Sequence, residues 1–558
     1  MTLAFLAMWL GMHNKAVSFR QFVLPPFLPS VTAAIDHHQR CTAHDACWPS
    51  PAEWNIFNSS IKGQLISSHP SAYVCHDPTY DEALCATAKA NWTSSDWRTA
   101  QPGAYSAILW ELGSNQCFIN TSISALCEQG LVAEYTVNAS SVELVQKAVR
   151  WAVKMNLYLT VKNTGHDHLG RSSGKGAFSI WTHHMKGREW HKAFVECGAE
   201  VGEKGVPAVT LHAGEQWLDV FRDADRQGRI VVGGSTRTVG AAGGWFTGGG
   251  HSAWSYFYGL GVDNVLEINA VTADGEVKIL NEHTDAEHFW PIRGGGGNSW
   301  GVIISVTYKT HPMPTHIKTV AAQYNSTSLV ARREVLPRAL KAIPRITDLG
   351  FTGYATFGNP IGLIFIQPKG TNTTAGEATA LIEHAGNITD VEPLAGAFDL
   401  PTWITYCAAF LQDPNIATDV IDTSRLLTAE ILSNKTEDLL GVIIDEFPDF
   451  HAGFNFINSR NRDDTAVHSI WKHSQGVFSL GTNWADDAPE SEKRAKRSRA
   501  VEASKRLAAI VGSDGGTYVN EANPYEPYWQ LERVKRRMDP WGLLVCNRCV
   551  GGDIVYDP

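Results

Sequence analysis

Residues 141–155, SVELVQKAVRWAVKM, repeat apolar side chains at intervals of three and four, which predicts an amphipathic helix with Ser141 as its N-cap. The following LYLTVK, residues 157–162, reads as a short strand. Helices, strands and glycine turns alternate to about residue 313, through "IVVGGSTRTVGAAGGWFTGGGHS" from Ile230 and "GLGVDNVLEINAVTADGEVKIL" from Gly259. Beyond residue 315 the pattern loosens. Helices are predicted over 328–343, 375–385 and 490–509, with strand-like apolar runs at 362–367 and 441–445. The pattern is α+β, and its second half reads as a sheet covered by helices on one side. Neither an internal repeat nor a low-complexity tract interrupts it.

A chain of 558 residues exceeds a single core, so more than one domain is expected. Hydrophobic residues at 44% and charged residues at 19% supply ample material for burial. The net charge of -10 argues against a nucleic-acid partner, which needs a basic footprint. The basic run from Lys493 to Arg499 lies in a helix-like stretch and reads as a solvated face. The apolar N-terminus is too short to span a bilayer and resembles the hydrophobic part of a secretory signal. No other long apolar run argues for stable membrane association.

Six of the ten cysteines form three close pairs, Cys41/Cys47, Cys75/Cys85 and Cys117/Cys127, which predict local disulfides in an oxidising compartment. Cys546 and Cys549 have the spacing of half a zinc site, but no second Cys or His pair completes it, so a disulfide or two buried thiols is expected. Eight Asn-x-Ser/Thr sequons, at Asn58, Asn91, Asn120, Asn138, Asn325, Asn372, Asn387 and Asn434, also favour export.

Three glycine-rich loops carry the candidate chemistry. In "VKNTGHDHLGRSSG", a strand runs into a loop with His166 near its apex. Glycines let backbone amides approach an anionic ligand, and a neutral imidazole can act as a nucleophile. "VGGSTRTVGAAGGWFTGGGH", from Val232 to His251, is too small-sided for core packing and reads as backbone laid against a large planar or phosphorylated ligand. It matches neither the G-x-G-x-x-G nor the G-x-x-x-x-G-K-[ST] pattern. A third loop, "RGGGGNSWG" from Arg293, ends in the strand-like VIISVT.

Taken together, "VKNTGHDHLGRSSGKGAFSIWTHHMKG", "VVGGSTRTVGAAGGWFTGGGHS", "GLGVDNVLEINAVTADGEV" and "IRGGGGNSWGVIISVTYKTHP" resemble the FAD-binding domain of the vanillyl-alcohol oxidase superfamily. The tail "TYVNEANPY…VKRRMDPWGLLVCNRCVG" resembles the berberine-bridge-type C-terminal segment, and "CWPSPAEWNIFNSSIKGQLI" is similar to fungal members serving secondary metabolism. The resemblance implies a two-lobed PCMH-type FAD-binding domain plus a substrate domain built on an antiparallel sheet covered by helices. The expected segments are a signal-like 1–35, a disulfide-rich 36–130, an FAD-binding 131–313, a substrate domain 314–512 and a berberine-bridge-like 513–558.

The resemblance also implies FAD bonded covalently to His166. Other cofactor contacts are expected from Asn163, Thr164, Gly165, Asp167, Gly170, Arg171 and Ser172 in the first loop. The second loop and its continuation would add Thr238, Val239, Gly240, Gly243, Gly244, Gly248, Gly249 and His251, then Gly261, Val262 and Asp263, with Val302 and Ile303 from the last strand. Bicovalent relatives carry a Cys where this chain has Thr236, so a single link is expected. Val239, small at the position that gates oxygen, favours an oxidase. Tyr518 and Asn520 align with a Tyr-x-Asn at the substrate side and are the expected catalytic pair.

Asp445, Glu446 and Asp449 are candidates for the carboxylate base. His166, Asp167, His168, His183 and His184 crowd a short span, but the glycine context and the resemblance argue against a metal. The stretch after Trp529 is shorter than in relatives, which affects the C-terminal lip of the site. The implied activity is hydride transfer from a small organic molecule to FAD, with dioxygen reduced to hydrogen peroxide. An oligosaccharide oxidase, and a flavin-binding scaffold or non-redox cyclase, are the alternatives.

Overall fold

The computed structural model describes residues 40–550, apart from 114–115, 327, 359, 411–412, 414–415, 458–463, 487 and 527–531. The signal-like segment 1–35 and the shortened stretch after Trp529 lie outside the described residues.

The predicted amphipathic helix is Val142–Lys154, with the Ser141 hydroxyl accepting from the Leu144 amide. Its buried stripe of Val145, Ala148, Val149 and Ala152 packs with Trp54, Phe57, Leu157 and Phe178. This cluster covers a four-stranded sheet ordered Leu65–Ser67, Tyr135–Asn138, Phe178–Trp181, Leu159–Lys162. The last three strands run parallel, so the helix serves as a crossover between two of them. A five-stranded antiparallel sheet follows, with Val302–Lys309 between Val206–His212 and Val265–Val271.

The second half forms a seven-stranded antiparallel sheet with Val391–Leu400 and Asp419–Thr428 at its edges. Period-two alternation sends Leu363 and Phe365 into a cluster with the helices Leu329–Asp348, Asn372–Gly386 and Glu490–Val511, while Ile366 joins the core of the first half. One face of this sheet is thus covered by helices, and the other turns toward the glycine loops. The run 441–445 departs from expectation: Gly441–Glu446 is a wide helical turn continuing from Thr436–Leu440. Its buried Val442, Ile443 and Ile444 satisfy a helix end as well as a strand, an ambiguity inherent in short apolar runs.

Residues 40–130 fold as short helices joined by the disulfides Cys41–Cys47, Cys75–Cys85 and Cys117–Cys127, and Cys546 is bonded to Cys549. At the centre of this lobe Arg98 and Glu111, both fully buried, form an ion pair. In the basic run, Lys496 and Arg499 pair with Asp449 on the surface, whereas Arg497 is buried against Glu490.

Candidate active site

The strand Leu159–Lys162 delivers its chain into a loop that reaches His166 within four residues. Gly165 sits at φ +84°, and a Cβ there would stand 3.0 Å from both the Ala104 carbonyl and Lys162 Cε, so only glycine fits. The Asp167 carboxylate closes the loop by accepting from the Leu169 amide (3.1 Å), the Ser172 amide (2.6 Å) and the Ser172 hydroxyl (2.9 Å). His166 Nε2 lies 2.7 Å from Thr238 Oγ1, which is 2.9 Å from Asp413 Oδ2. Burial pushes the His166 imidazole down to about 4, against the attraction of Asp413 and with the help of His168 and Lys162. It is neutral at pH 7.

These loops surround one cavity, with about 370 Å³ open to the centres of water molecules. Asn163, Thr164, Gly165, His166, Asp167, Arg171 and Ser172 line it from the first loop. Val239, Gly240, Gly243, Gly244 and His251 line it from the second, and Thr236 stands beside them. Ile303, Tyr518 and Asn520 complete the expected set. At Gly243 and Gly244, chain neighbours and the local helix backbone aside, no atom of the described residues lies within 4 Å of where a Cβ would be, so the missing side chains open into the cavity.

Eight expected contacts do not reach the cavity wall. Gly170 is packed against the Trp110 ring, Gly248 against Asn520 and Gly261 against Trp245, positions where a Cβ would collide with protein. Gly249 abuts Val467, and Thr238 stands behind His166. Val262 and Val302 are fully buried core residues, and the Asp263 carboxylate accepts from the Leu260 amide at 2.7 Å. These residues shape the loops that others present.

Asn520 joins the C-terminal segment to the cradle: its Oδ1 accepts from Arg171 (3.0 Å), and its Nδ2 donates to the Trp245 carbonyl (2.9 Å) and the Tyr518 hydroxyl (2.8 Å). Burial, with the charge of Glu521, pushes the Tyr518 phenol up, so it stays protonated.

The opposite wall comes from the seven-stranded sheet. Val420, Asp422 and Ser479 line it. His168 Nδ1 lies 2.6 Å from Asp422 Oδ2. Burial opposes charge on this imidazole, but the hydrogen bond and charge of Asp422, with Glu521 and Asp167, hold it protonated up to about 9. Glu521 also lines the cavity, and its Oε1 is 2.9 Å from His251 Nε2. The third loop adds Gly296, Gly297 and Asn298, whose Nδ2 donates to the carbonyls of Val161 (3.1 Å) and Arg171 (2.9 Å).

His168, Asp422 and Glu521 were absent from the sequence-derived set, as were the third-loop residues, although the run of four glycines marked that loop. The expected base candidates lie elsewhere: Asp445 pairs with Arg333, Glu446 with Arg506, and Asp449 with Lys496 and Arg499, all on the helical exterior. Those helices cover the sheet face turned away from the cavity. Of the crowded histidines, His183 stacks on Trp181 at 5.4 Å and packs edge-on against His184 at 5.2 Å, whose Nδ1 is 2.7 Å from Asn138 Oδ1.

Residues 133–281 match the family described as an FAD binding domain. The chain is 52% identical over 541 residues to an uncharacterized FAD-linked oxidoreductase of Arthroderma benhamiae, covering 93% of this chain and 96% of that one. It is 30% identical over 550 residues to the FAD-linked oxidoreductase penH of Penicillium thymicola, covering 92% and 93%. The crystal structure of the VAO-type flavoprotein MtVAO615 from Myceliophthora thermophila C1 superposes with a TM-score of 0.84 at 26% identity, over 92% of this chain and 97% of that one. A chitooligosaccharide oxidase shares the fold, with a TM-score of 0.60 at 16% identity over 76% of this chain and 92% of that one.

The cavity suits FAD on its own chemistry. Among the described residues, Arg171 Nη1 and Asn163 Oδ1 are buried beside it without a protein hydrogen-bond partner, a cationic donor and an acceptor left for a ligand, and the Gly243–Gly244 backbone lies open to it. With likeness along nearly its whole described length and a cavity fitted to the cofactor, the chain belongs to the FAD-linked oxidoreductases of the vanillyl-alcohol oxidase superfamily.

Proposed function

We propose that the protein is an exported oxidase that carries FAD on a single covalent bond to His166. It would remove hydride from a hydroxyl- or amine-bearing carbon of a small organic molecule, of the secondary-metabolite kind that the family resemblance implies. The observation that carries this reading is the two-sided cavity, with the neutral His166 among glycine loops on one wall and His168, Asp422, Glu521 and Tyr518 beyond it. When bound, FAD would supply the hydride acceptor and the route by which two electrons pass to dioxygen as hydrogen peroxide.

Arg171 and the open backbone at Gly243–Gly244 would hold the cofactor's diphosphate, and Asn163 a polar edge. His168, with Nδ1 engaged by Asp422, keeps Nε2–H to donate to the substrate heteroatom. The charge on this imidazole favours an oxygen that gains negative character. Glu521 is the proposed acceptor of the heteroatom proton: its carboxylate lines the cavity with Oε1 engaged by His251 Nε2, while Asp422 serves to hold His168 as the donor. Tyr518, kept neutral, donates a hydrogen bond and orients the substrate. Val239 leaves room for dioxygen on the cavity wall.

The test is anaerobic titration of purified protein with panels of alcohols, amines and oligosaccharides. At least one should bleach the flavin band, and admitted air should restore it with one equivalent of peroxide. A substrate converted with no bleaching and no peroxide would instead assign a non-redox reaction.

A further inference from the structure

We propose that Asp413 and Thr238 form a positioning relay that presents Nδ1 of His166 for bond formation to the flavin 8α carbon, an inference that rests on reading His166 as the attachment point. A hydroxyl has one hydrogen, and a carboxylate only accepts. Thr238 Oγ1, 2.9 Å from Asp413 Oδ2, therefore spends its hydrogen on Asp413. At 2.7 Å from His166 Nε2 it can then only accept. The ring hydrogen sits on Nε2, and the lone pair on Nδ1. Among the described residues Nδ1 has no protein hydrogen-bond partner, and the side chain lines the cavity.

The carboxylate is itself held from two distant parts of the chain. Its Oδ1 accepts from the Arg237 amide at 3.0 Å, and Oδ2 accepts from Arg237 Nε at 2.9 Å and from the Ser95 hydroxyl. The side chain is only 4% exposed. An ion pair serving architecture alone would be complete with Arg237. Thr238, next in sequence, extends the contact to His166. Burial raises the Asp413 carboxyl, but the hydrogen bonds from Ser95, Arg237 and Thr238 hold it below its ordinary value. Asp413 is thus a fixed negative charge two hydrogen bonds from an imidazole that gains positive charge as it is alkylated, as the buried Asp serves the His of a Ser-His-Asp triad.

In the step itself the Nδ1–C8α bond forms and one C–H bond of the 8α methyl breaks. The methyl and the imidazole each lose one proton. The two electrons of the broken bond stay on the flavin, which takes up two protons and is left reduced. Dioxygen then removes two electrons and two protons as hydrogen peroxide and restores the oxidised ring.

Full-length apoprotein of the wild type and of His166→Ala, Thr238→Val, Thr238→Ser and Asp413→Asn is mixed with FAD in air. Total uptake is read by gel filtration, and covalent flavin by acid precipitation and in-gel fluorescence. Thr238→Val should take up FAD but bond it roughly 10–150-fold more slowly, the worth of one hydrogen bond to a charged group. Thr238→Ser should react at the wild-type rate. The amide of Asp413→Asn can donate to Thr238, turning the hydroxyl toward Nε2 and moving the ring hydrogen to Nδ1, so that variant should also be slow. If it does not fold, Thr238→Val carries the test alone with the Ser95–Arg237–Asp413 anchor intact. Wild-type rates in Thr238→Val, or a Thr238→Ser as slow as Thr238→Val, overturn the relay. Acid-stable flavin missing from the wild type, or retained by His166→Ala, would instead refute the attachment point and the relay with it.

Discussion

Adding one methyl at Gly244 separates cofactor binding from folding. Gly244 begins the short helix Gly244–Thr247, and, chain neighbours and that helix's backbone aside, no atom of the described residues lies within 4 Å of where its Cβ would project. Alanine in a helix is favoured over glycine by about 0.5–1 kcal/mol, so the Gly244→Ala apoprotein should be at least as stable as the parent. If this backbone faces FAD as proposed, the same methyl intrudes on the cofactor, and overpacking a fitted site costs about 1–3 kcal/mol. At about 1.4 kcal/mol per tenfold, FAD affinity falls roughly 5–150-fold. Gly170→Ala makes the contrast. Gly170 has φ +68°, and its Cβ would collide with Trp110, away from the cavity, so that variant should lose apoprotein stability. The assay is FAD titration by flavin fluorescence, paired with apoprotein denaturation, in a His166→Ala background that keeps binding reversible. Unchanged FAD affinity in Gly244→Ala would refute the assignment of this backbone to the cofactor.

Other consequences concern charge, the N-terminal lobe and export. His168 is held protonated to about 9 in the fold, against about 6.5 unfolded, so its pairing with Asp422 stabilises the apoprotein fully below pH 6.5 and is lost as pH rises through about 9. Alkaline denaturation midpoints should show that loss in the parent and not in Asp422→Asn, and kcat/KM should fall over the same range. Arg98→Met strands the buried Glu111 carboxylate, which also accepts from the amides of Ser71 (2.6 Å) and Tyr105 (3.2 Å). Such a broken pair costs about 3–5 kcal/mol, to be read from urea midpoints. None of the eight sequon asparagines is buried, so the protein secreted from a eukaryotic host should lose mass on endoglycosidase treatment.

What the sequence disclosed follows from how local each feature is. The glycine loops were legible because a cavity wall of this kind is built from consecutive backbone, and residues 163–172 and 239–244 contribute to one wall. Within those loops, composition alone could not separate a glycine that opens to ligand, such as Gly244, from one pressed against a ring, such as Gly170. The helices Leu329–Asp348 and Glu490–Val511 were legible from their apolar patterning. Asp422 was not, because it is one acidic residue on an edge strand, paired with a histidine 254 positions earlier. Asp413 was hidden for the same reason, being 175 positions from Thr238. Asp445 and its neighbours drew attention by following an apolar run that packs beneath the helices, on the wrong face of the sheet for chemistry.

Cleavage after Lys162 and Arg171 releases residues 163–171, NTGHDHLGR, which hold both His166 and His168. Tandem mass spectrometry of this peptide from acid-washed protein asks where the flavin is attached. Our account predicts the flavin mass on His166, with His168 unmodified. An unmodified peptide, or a flavin fragment carried by His168, would contradict it.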